Sequence, residues 1–258
     1  MHRIYASIQY TKYTIMKTLL SILALLFLVA TTNAQTASIA ANLKQAGLRA
    51  GLNNGYNTYQ TYTSDNVKGS QFFYPGFKDG SVITTNNEVI TGLYQFLFDK
   101  VRQQLFITAK ADKRPQPEVL LAEKDQIKSF TITTDREHTF VAARNYDPAN
   151  TNDFYEVLKK DDSGYSLLKL VKTTFEKMDY KDLQKVKRGD IYDEFVDKVS
   201  YYVSYKSGKP QEISFKKKNM PKAFQPDKKA FVENYTDMHG TDDVDEQYLI
   251  NLVFAANN

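Results

Sequence analysis

The chain has 258 residues, of which 42% are hydrophobic, 25% charged and 13% aromatic. This is the composition of an ordinary globular protein, and it excludes collagen-like, coiled-coil and wholly disordered classes. The formal net charge is only +4, and cysteine is absent. The absence of cysteine excludes disulfides, thiolate catalysis and Cys-ligated metals.

The first predicted element is a secretory signal peptide over residues 1–34. Lys17 precedes an apolar run, Leu19–Val29, which is followed by small and polar residues. A run of about 11 residues is too short to cross a bilayer as a helix, which needs about 20. We therefore expect cleavage between Ala34 and Gln35 and no transmembrane span afterwards, with an N-terminal membrane anchor as the alternative.

Removal of this leader also changes the charge of the chain. Residues 1–15 precede a better start at Met16, and we interpret them as a start-site extension. The leader takes Arg3, Lys12 and Lys17 with it, which leaves 31 of the 34 basic residues against 30 acidic ones. A nearly neutral mature chain has no overall field that would hold it on nucleic acid. No nucleic-acid partner is therefore predicted.

Residues 35–80 are predicted to form an N-terminal arm with a short helix followed by Tyr-rich strands. The helix rests on the spacing of Ile39, Leu43 and Leu48, and several glycines weaken it. Six aromatic residues in the arm form a candidate recognition surface: Tyr56, Tyr59, Tyr62, Phe72, Phe73 and Tyr74. Tyrosine suits recognition because it combines a large contact area with a polar tip. Alternatively, these rings fill a β core, which is how strands ordinarily use them.

Residues 81–218 are predicted to form an antiparallel β domain. Its clearest hairpin pairs Val199–Lys206 with Gln211–Lys217, in which apolar and polar residues alternate. Residues 88–98 are expected to form one strand. The charged segment 173–198 is expected to be a linking excursion with one helical turn, and the run 216–218 (KKK) to be solvated charge.

The chain is predicted to end in two helices within residues 219–258. The first begins at Pro226 and ends before Gly240, and a capping box starting at Asp243 opens the second. We expect five residues of the last helix to face inward: Val244, Tyr248, Leu249, Leu252 and Val253. The predicted fold class is mainly β, as an antiparallel meander, a sandwich or an open barrel-like sheet, with a two-helix C-terminal appendage.

Few residues in the mature chain suggest catalysis. His138 is expected in an exposed turn, and His239 at a helix end, where an imidazolium would interact favourably with the helix dipole. Paired carboxylates, as glycosidases use them, occur in three groups. These groups are Asp161 with Asp162; Asp190, Asp193, Glu194 and Asp197; and Asp242, Asp243, Asp245 and Glu246. Turn, capping or surface roles account for all three, and calcium at the last group is the alternative.

Several segments between residues 80 and 255 resemble a family of exported proteins. They are LLAEKDQIKSFTI (120–132), FYEVLKK (154–160), YSLLKLVK (165–172), YYVSYKSGKPQEISFKKK (201–218) and DKKAFVENY (227–235). Together with the NAQ cleavage context, this succession resembles a group of uncharacterised secreted proteins of the phylum Bacteroidota. The resemblance implies export and a β-hairpin-rich domain, and it says nothing about activity.

The resulting hypothesis is an exported, soluble, non-enzymatic protein of the periplasm or the extracellular space. It would act as a binding or envelope-interaction module whose partner is an unknown protein or envelope component. No catalytic residue, metal ligand or cofactor is predicted. Two alternatives stay open, namely a secreted hydrolase that uses dispersed carboxylates and a small outer-membrane β-barrel.

Overall fold

The computed structural model describes residues 67–110, 119–177 and 192–258, together with residues 41, 43–45, 47, 48 and 50–52. These residues fold into two β-sheets and two C-terminal helices, so the predicted mainly β fold class with its helical appendage is confirmed. The predicted signal peptide and its cleavage site, Ala34 and Gln35, lie outside the described residues, as do Tyr56, Tyr59 and Tyr62.

The described elements are mainly strands, and the two α-helices with defined bounds lie at the end. Residues 41 and 43–45 are also helical, in the region of the predicted N-terminal helix. The strands are β1 (Ala50–Leu52), β2 (Val67–Lys68), β3 (Gly80–Thr84), β4 (Val89–Thr91), β5 (Tyr94–Asp99), β6 (Gln104–Ala109), β7 (Leu120–Ala122), β8 (Ile127–Thr133), β9 (Glu137–Ala142), β10 (Phe154–Lys159), β11 (Tyr165–Glu176), β12 (Asp193–Tyr205) and β13 (Gln211–Ile213). The α-helices are α1 (Lys229–Met238) and α2 (Glu246–Asn257). Four 3-10 helices cover Lys124–Gln126, Ala143–Asn145, Lys217–Ala223 and Pro226–Lys228.

The strands form a large sheet of nine and a small sheet of four. The large sheet has the order β13-β12-β11-β10-β9-β8-β3-β4, and β2 adds to β12. The small sheet has the order β1-β7-β6-β5. All of these pairings are antiparallel except that of β2 with β12. The path of the large sheet is open, with β13 and β4 at its two ends.

A single row of directly opposed residues crosses the large sheet. One residue from each of eight strands lies in it: Ile90, Val82, Phe130, Phe140, Glu156, Lys169, Tyr201 and Ile213. Directly opposed residues point to the same face of a sheet. The row is therefore apolar at both ends and charged in the middle, where Glu156 stands opposite Lys169.

The small sheet covers one half of this face. Phe98 of β5 packs against Phe130 and Phe140 of the large sheet, with ring centroids 5.1 Å apart in both pairs. Phe130 also stacks on Phe140 at 4.8 Å and meets the edge of Phe154 at 5.1 Å. We call these four buried phenylalanines and the aliphatic residues around them the aromatic core.

The C-terminal helices cover the other half of the same face. Leu249, Leu252 and Val253 of α2 are buried there, as predicted, against Leu167 and Val203 of the large sheet. Asn257 fixes the end of α2, since its side chain accepts from Tyr165 N at 2.6 Å and donates to Tyr165 O at 2.8 Å. We call this region the helix-covered core.

A buried glutamine joins the small sheet to the middle of the large one. Gln103, in the turn between β5 and β6, donates from Nε2 to the carbonyl oxygens of Lys100 and Val171, at 2.9 and 3.0 Å. Its Oε1 accepts from Phe154 N at 3.0 Å. These bonds fix the tip of the β5–β6 hairpin against β10 and β11.

Two strand predictions were wrong. The segment 173–198 is not a linking excursion throughout, because Thr173–Glu176 continues β11 and Asp193–Lys198 begins β12. The acidic residues of these two stretches hide the strand pattern, namely Glu176, Asp193, Glu194 and Asp197. Residues 88–98 do not form one strand either, because Gly92 at φ +76° interrupts it and separates β4 from β5, which belong to different sheets.

The helix boundaries are close to the predicted ones, with one shift. The N-cap of α2 is Asp245 rather than Asp243, because the side chain of Asp245 accepts from Tyr248 N at 2.8 Å. His239 is the C-cap of α1 and directly precedes Gly240, as predicted. In the part of the chain that the structure describes, no helix has the length and apolar character needed to cross a membrane.

Candidate functional site

A charged seam lies between the aromatic core and the helix-covered core. We define it as Glu156, Lys169, Glu246, Tyr201 and His138. Glu156 of β10 is only 4% exposed, so its carboxylate needs partners. His138 Nδ1 donates to Glu156 Oε1 at 2.7 Å, and Lys169 Nζ lies 3.9 Å from Glu156 Oε2. Arg136 adds a second positive charge, 3.8 Å from Glu156 Oε1.

The same lysine holds the first residue of α2. Lys169 Nζ donates to Glu246 Oε2 at 2.7 Å, and the Tyr201 hydroxyl donates to the same oxygen at 2.9 Å. Lys169 Nζ therefore approaches an oxygen of each glutamate, at 3.9 Å for Glu156 and 2.7 Å for Glu246, so two acids lie near each other, as glycoside hydrolases require. The seam therefore brings two acids together and connects α2 to the sheet.

The pKa values of the seam follow from these contacts. Burial favours the neutral form of Glu246, but the hydrogen bonds from Lys169 and Tyr201, together with the charge of Lys169, lower the pKa of this carboxyl. Burial raises the pKa of Tyr201 well above its usual value, and the neighbouring Glu246 raises it further. At neutral pH Glu246 is therefore ionised and Tyr201 is a protonated donor.

This electrostatic arrangement suits attachment better than acid–base catalysis. A catalytic general acid needs a raised pKa, whereas the pKa of Glu246 is lowered. Lys169 also occupies the space between the carboxylates and pairs with both. The groups of the seam thus bind one another and hold α2 on β11 and β12.

The two described histidines, His138 and His239, have different environments. The prediction that His138 lies in an exposed turn was wrong, because it is within β9 and its side chain is 12% exposed. Its ring meets the edge of Phe73 at 5.0 Å while Nδ1 bonds to Glu156. His239 bonds through Nδ1 to Asp242 Oδ2 at 2.8 Å beside the end of α1.

The predicted carboxylate groups do not converge on one site. Asp161 accepts from the backbone and hydroxyl of Ser163, and these bonds lower the pKa of Asp161. Asp197 pairs with Lys100 at 2.6 Å on another part of β12. Asp190 lies outside the described residues, within which no group of three or more His, Asp and Glu side chains is arranged to hold a metal ion.

The described part of the aromatic cluster is largely packed inside. Phe72 is buried against Leu97 and Phe106 of the small sheet. Phe73 is half-buried between His138 and Phe140. Tyr74 is the most exposed of the three, and Lys78 Nζ lies 4.7 Å from the centre of its ring.

The lysine run at residues 216–218 is divided between two roles. Lys217 is not simply solvated as predicted, because its Nζ donates to the carbonyl oxygens of His239, Gly240 and Asp242 at 2.6, 2.9 and 2.7 Å. A cation at this position also favours the helix dipole. Lys216 and Lys218, on either side, are exposed.

Glu156 and Lys169 are not among the predicted site residues, although the sequence contains a signal for them. Each is a charged residue inside an apolar strand segment, FYEVLK for β10 and YSLLKL for β11. Their alternation places them on inward-facing positions, where an unpaired charge is costly. Such positions indicate a buried partner, but only the strand register identifies it.

Comparisons with protein-family models, with curated proteins and with solved structures found no match for this chain. The resemblance to exported Bacteroidota proteins therefore stays a proposal, and any function has to be inferred from the residues of this chain.

Proposed function

We propose that this chain is an exported, non-enzymatic binding protein that acts in the periplasm or outside the cell through contact with an envelope component. The leader carries Lys17, an apolar run and small residues before Gln35, which is the pattern of a secretory signal. The large sheet and its two covers supply a rigid support for surface contacts.

One observation carries the non-enzymatic part of this proposal, namely the internal pairing of the charged seam. Glu156 bonds to His138, while Lys169 and Tyr201 both bond to Glu246. Groups that neutralise one another in this way hold elements together, whereas a catalytic acid or base must be poised for its substrate. The seam is thus explained by attachment of α2.

A secreted hydrolase is the second candidate, and the closeness of two carboxylates favours it. Glu156 and Glu246 would be the acid and the nucleophile or base of such an enzyme. For that reaction Lys169 would have to leave the space between them, because it pairs with both carboxylates. The lowered pKa of Glu246 suits an ionised nucleophile or base, so the position of Lys169 is the feature that opposes this candidate.

The experiment combines localisation with a test for turnover. We expect the protein expressed with its own leader to be recovered outside the cytoplasm with Gln35 at its N-terminus. We also expect no turnover on a panel of glycoside, ester and peptide substrates. Turnover that is abolished in Glu246→Gln but kept in Glu233→Gln, an exposed glutamate of α1, would contradict the proposal and support the hydrolase.

A further inference from the structure

The charge of the C-terminal quarter is strongly divided along the chain. Residues 206–229 contain eight lysines and only two acidic residues, whereas residues 230–258 contain six acidic residues and no lysine or arginine. The near-neutral total therefore conceals a local basic region. It lies where the large sheet ends in β13 and the chain enters the helical appendage.

The centre of this region is what we call the basic segment, Phe215–Lys222. Most of it is a 3-10 helix, Lys217–Ala223, with Lys216 as its N-cap. A 3-10 helix has about three residues per turn, so residues three apart lie above one another. Lys216, Asn219 and Lys222 therefore share one side, and the bond from Lys222 Nζ to Asn219 Oδ1 at 3.1 Å agrees with this.

Lys217 fixes the basic segment and leaves its neighbours facing solvent. Its ammonium group is held by the three carbonyls at the end of α1. Lys216, Lys218 and Lys222 are exposed, and among the described residues none of them has a carboxylate partner. Three unneutralised cations are thus presented on a short element that is packed against β13 and α1.

An aromatic ring accompanies these cations. Phe215 is 45% exposed, and its ring meets Tyr201 edge to face at 5.1 Å. One side of the ring is therefore anchored in the helix-covered core while the other side is in solvent. An exposed aromatic ring beside lysines is the combination that binds membrane interfaces, where the ring enters the headgroup boundary and the lysines meet phosphates.

We propose that the basic segment binds the surface of an anionic phospholipid membrane, with Lys216 and Lys222 at the lipid phosphates and Phe215 in the headgroup region. This inference rests on the proposed function, because an exported chain meets lipid phosphates rather than nucleic acid. Each lysine near an anionic surface strengthens binding about fivefold. The attraction is screened by salt within about 10 Å at 0.1 M.

The test is co-sedimentation of the purified protein with vesicles of phosphatidylcholine, with and without phosphatidylglycerol, at low and high salt. We expect binding only to the anionic vesicles, and weaker binding at high salt. Lys216→Gln with Lys222→Gln should weaken it about 25-fold. The matched control is Lys128→Gln with Lys198→Gln, two exposed lysines of β8 and β12, and it should bind like the unchanged protein.

A second variant tests the role of the ring. Phe215→Ala should weaken binding about tenfold, as expected for an apolar side chain that leaves water. Leu93→Ala, at an exposed apolar residue in the turn between β4 and β5, should have no effect. Circular dichroism of each variant, compared with the unchanged protein, confirms that the fold is retained.

Three results would overturn the inference. They are equal binding to neutral vesicles, full binding by the Lys216 and Lys222 double variant, and binding to soluble DNA in place of vesicles. Export without vesicle binding would remove this inference and leave the proposed function standing. Recovery of the protein in the cytoplasm with its leader intact would instead contradict the proposed function.

Discussion

The two halves of the large sheet are covered on the same face by different structures. Over β3, β8 and β9 the cover is the small sheet, and the space between holds a cluster of phenylalanine rings surrounded by aliphatic side chains. Over β11, β12 and β13 the cover is α1, α2 and the 3-10 helix Lys217–Ala223, which bury aliphatic side chains and several tyrosine rings against the sheet. The charged seam lies where one cover ends and the other begins.

The difference shows how one sheet can support two unlike cores. Two packed sheets lie about 10 Å apart, a gap that aromatic rings fill well because each ring has a large area and few rotatable bonds. Helices offer a narrower apolar stripe, and here the ends of the helices are also held by polar contacts from Lys169, Lys217 and Asn257. Both covers are therefore held by packing together with polar contacts, which come from Gln103 on the small sheet and from three separate side chains at the helix ends.

The largest expected effect on stability comes from removing one ring of the aromatic core. Phe130→Ala should lower the free energy of unfolding by about 4 kcal/mol, because a fully buried ring is lost and its neighbours cannot fill the space. Phe130 touches three other rings of the aromatic core. Urea denaturation measures the change. Phe254→Ala on α2, where the ring is 54% exposed, is the control, and a similar loss in both variants would contradict the assignment of Phe130 to the core.

The next effect concerns the boundary between the two cores. Glu156→Ala should lower the free energy of unfolding by about 3 kcal/mol, because it leaves the largely buried His138 without its carboxylate partner and removes one of the two carboxylates beside Lys169. Glu212→Ala, at an exposed position of β13, should change it by less than about 0.5 kcal/mol. Equal losses for Glu156→Ala and Glu212→Ala would show that the seam contributes no more than a surface charge.

Loss of the Lys217 contacts should cause a smaller loss of stability, confined to the helix-covered core. Lys217→Met removes three hydrogen bonds to carbonyl oxygens at the end of α1 and should lower the free energy of unfolding by about 1.5 kcal/mol. Lys218→Met is the control, because that lysine is exposed. Hydrogen exchange should show faster exchange in α1 and unchanged protection in β8 and β9. Loss of protection in both regions would mean that the two cores unfold as one unit.

Much of this architecture could be predicted locally, and the charged seam could not. The alternation in Val199–Lys206 and the apolar face of α2 are short-range patterns, and both correspond to observed elements. The pairing of Glu156 with Lys169 depends on strand register, and the contact of Lys169 with Glu246 joins residues 77 positions apart. No periodicity within one strand contains that information.

The wrong predictions for segment 173–198 and for His138 have the same physical origin. Charged residues in the distal part of β11 and β12 suggested a loop, because a strand is expected to show an apolar face. There the hairpin is held by long-range backbone pairing, in which Phe175 and Phe195 stand opposite each other. His138 was placed in solvent because neither Glu156 nor Phe73 is near it in sequence.

The smallest effect is the acid sensitivity of the attachment of α2. The pKa of Glu246 is lowered from its ordinary value of 4.5 in the folded protein, so the ionised carboxylate stabilises the fold above that pH. This contribution is lost as the pH falls from about 4.5 through the lower folded value. Because Glu246 is partly exposed, we expect it to be under about 1 kcal/mol. The difference in unfolding free energy between the unchanged protein and Glu246→Gln, measured in urea, should therefore narrow as the pH falls. Tyr201→Phe removes one of the two donors to Glu246 and should reduce that narrowing. If the difference in unfolding free energy stays unchanged across the acid range, Lys169 and Tyr201 do not favour the ionised form of Glu246.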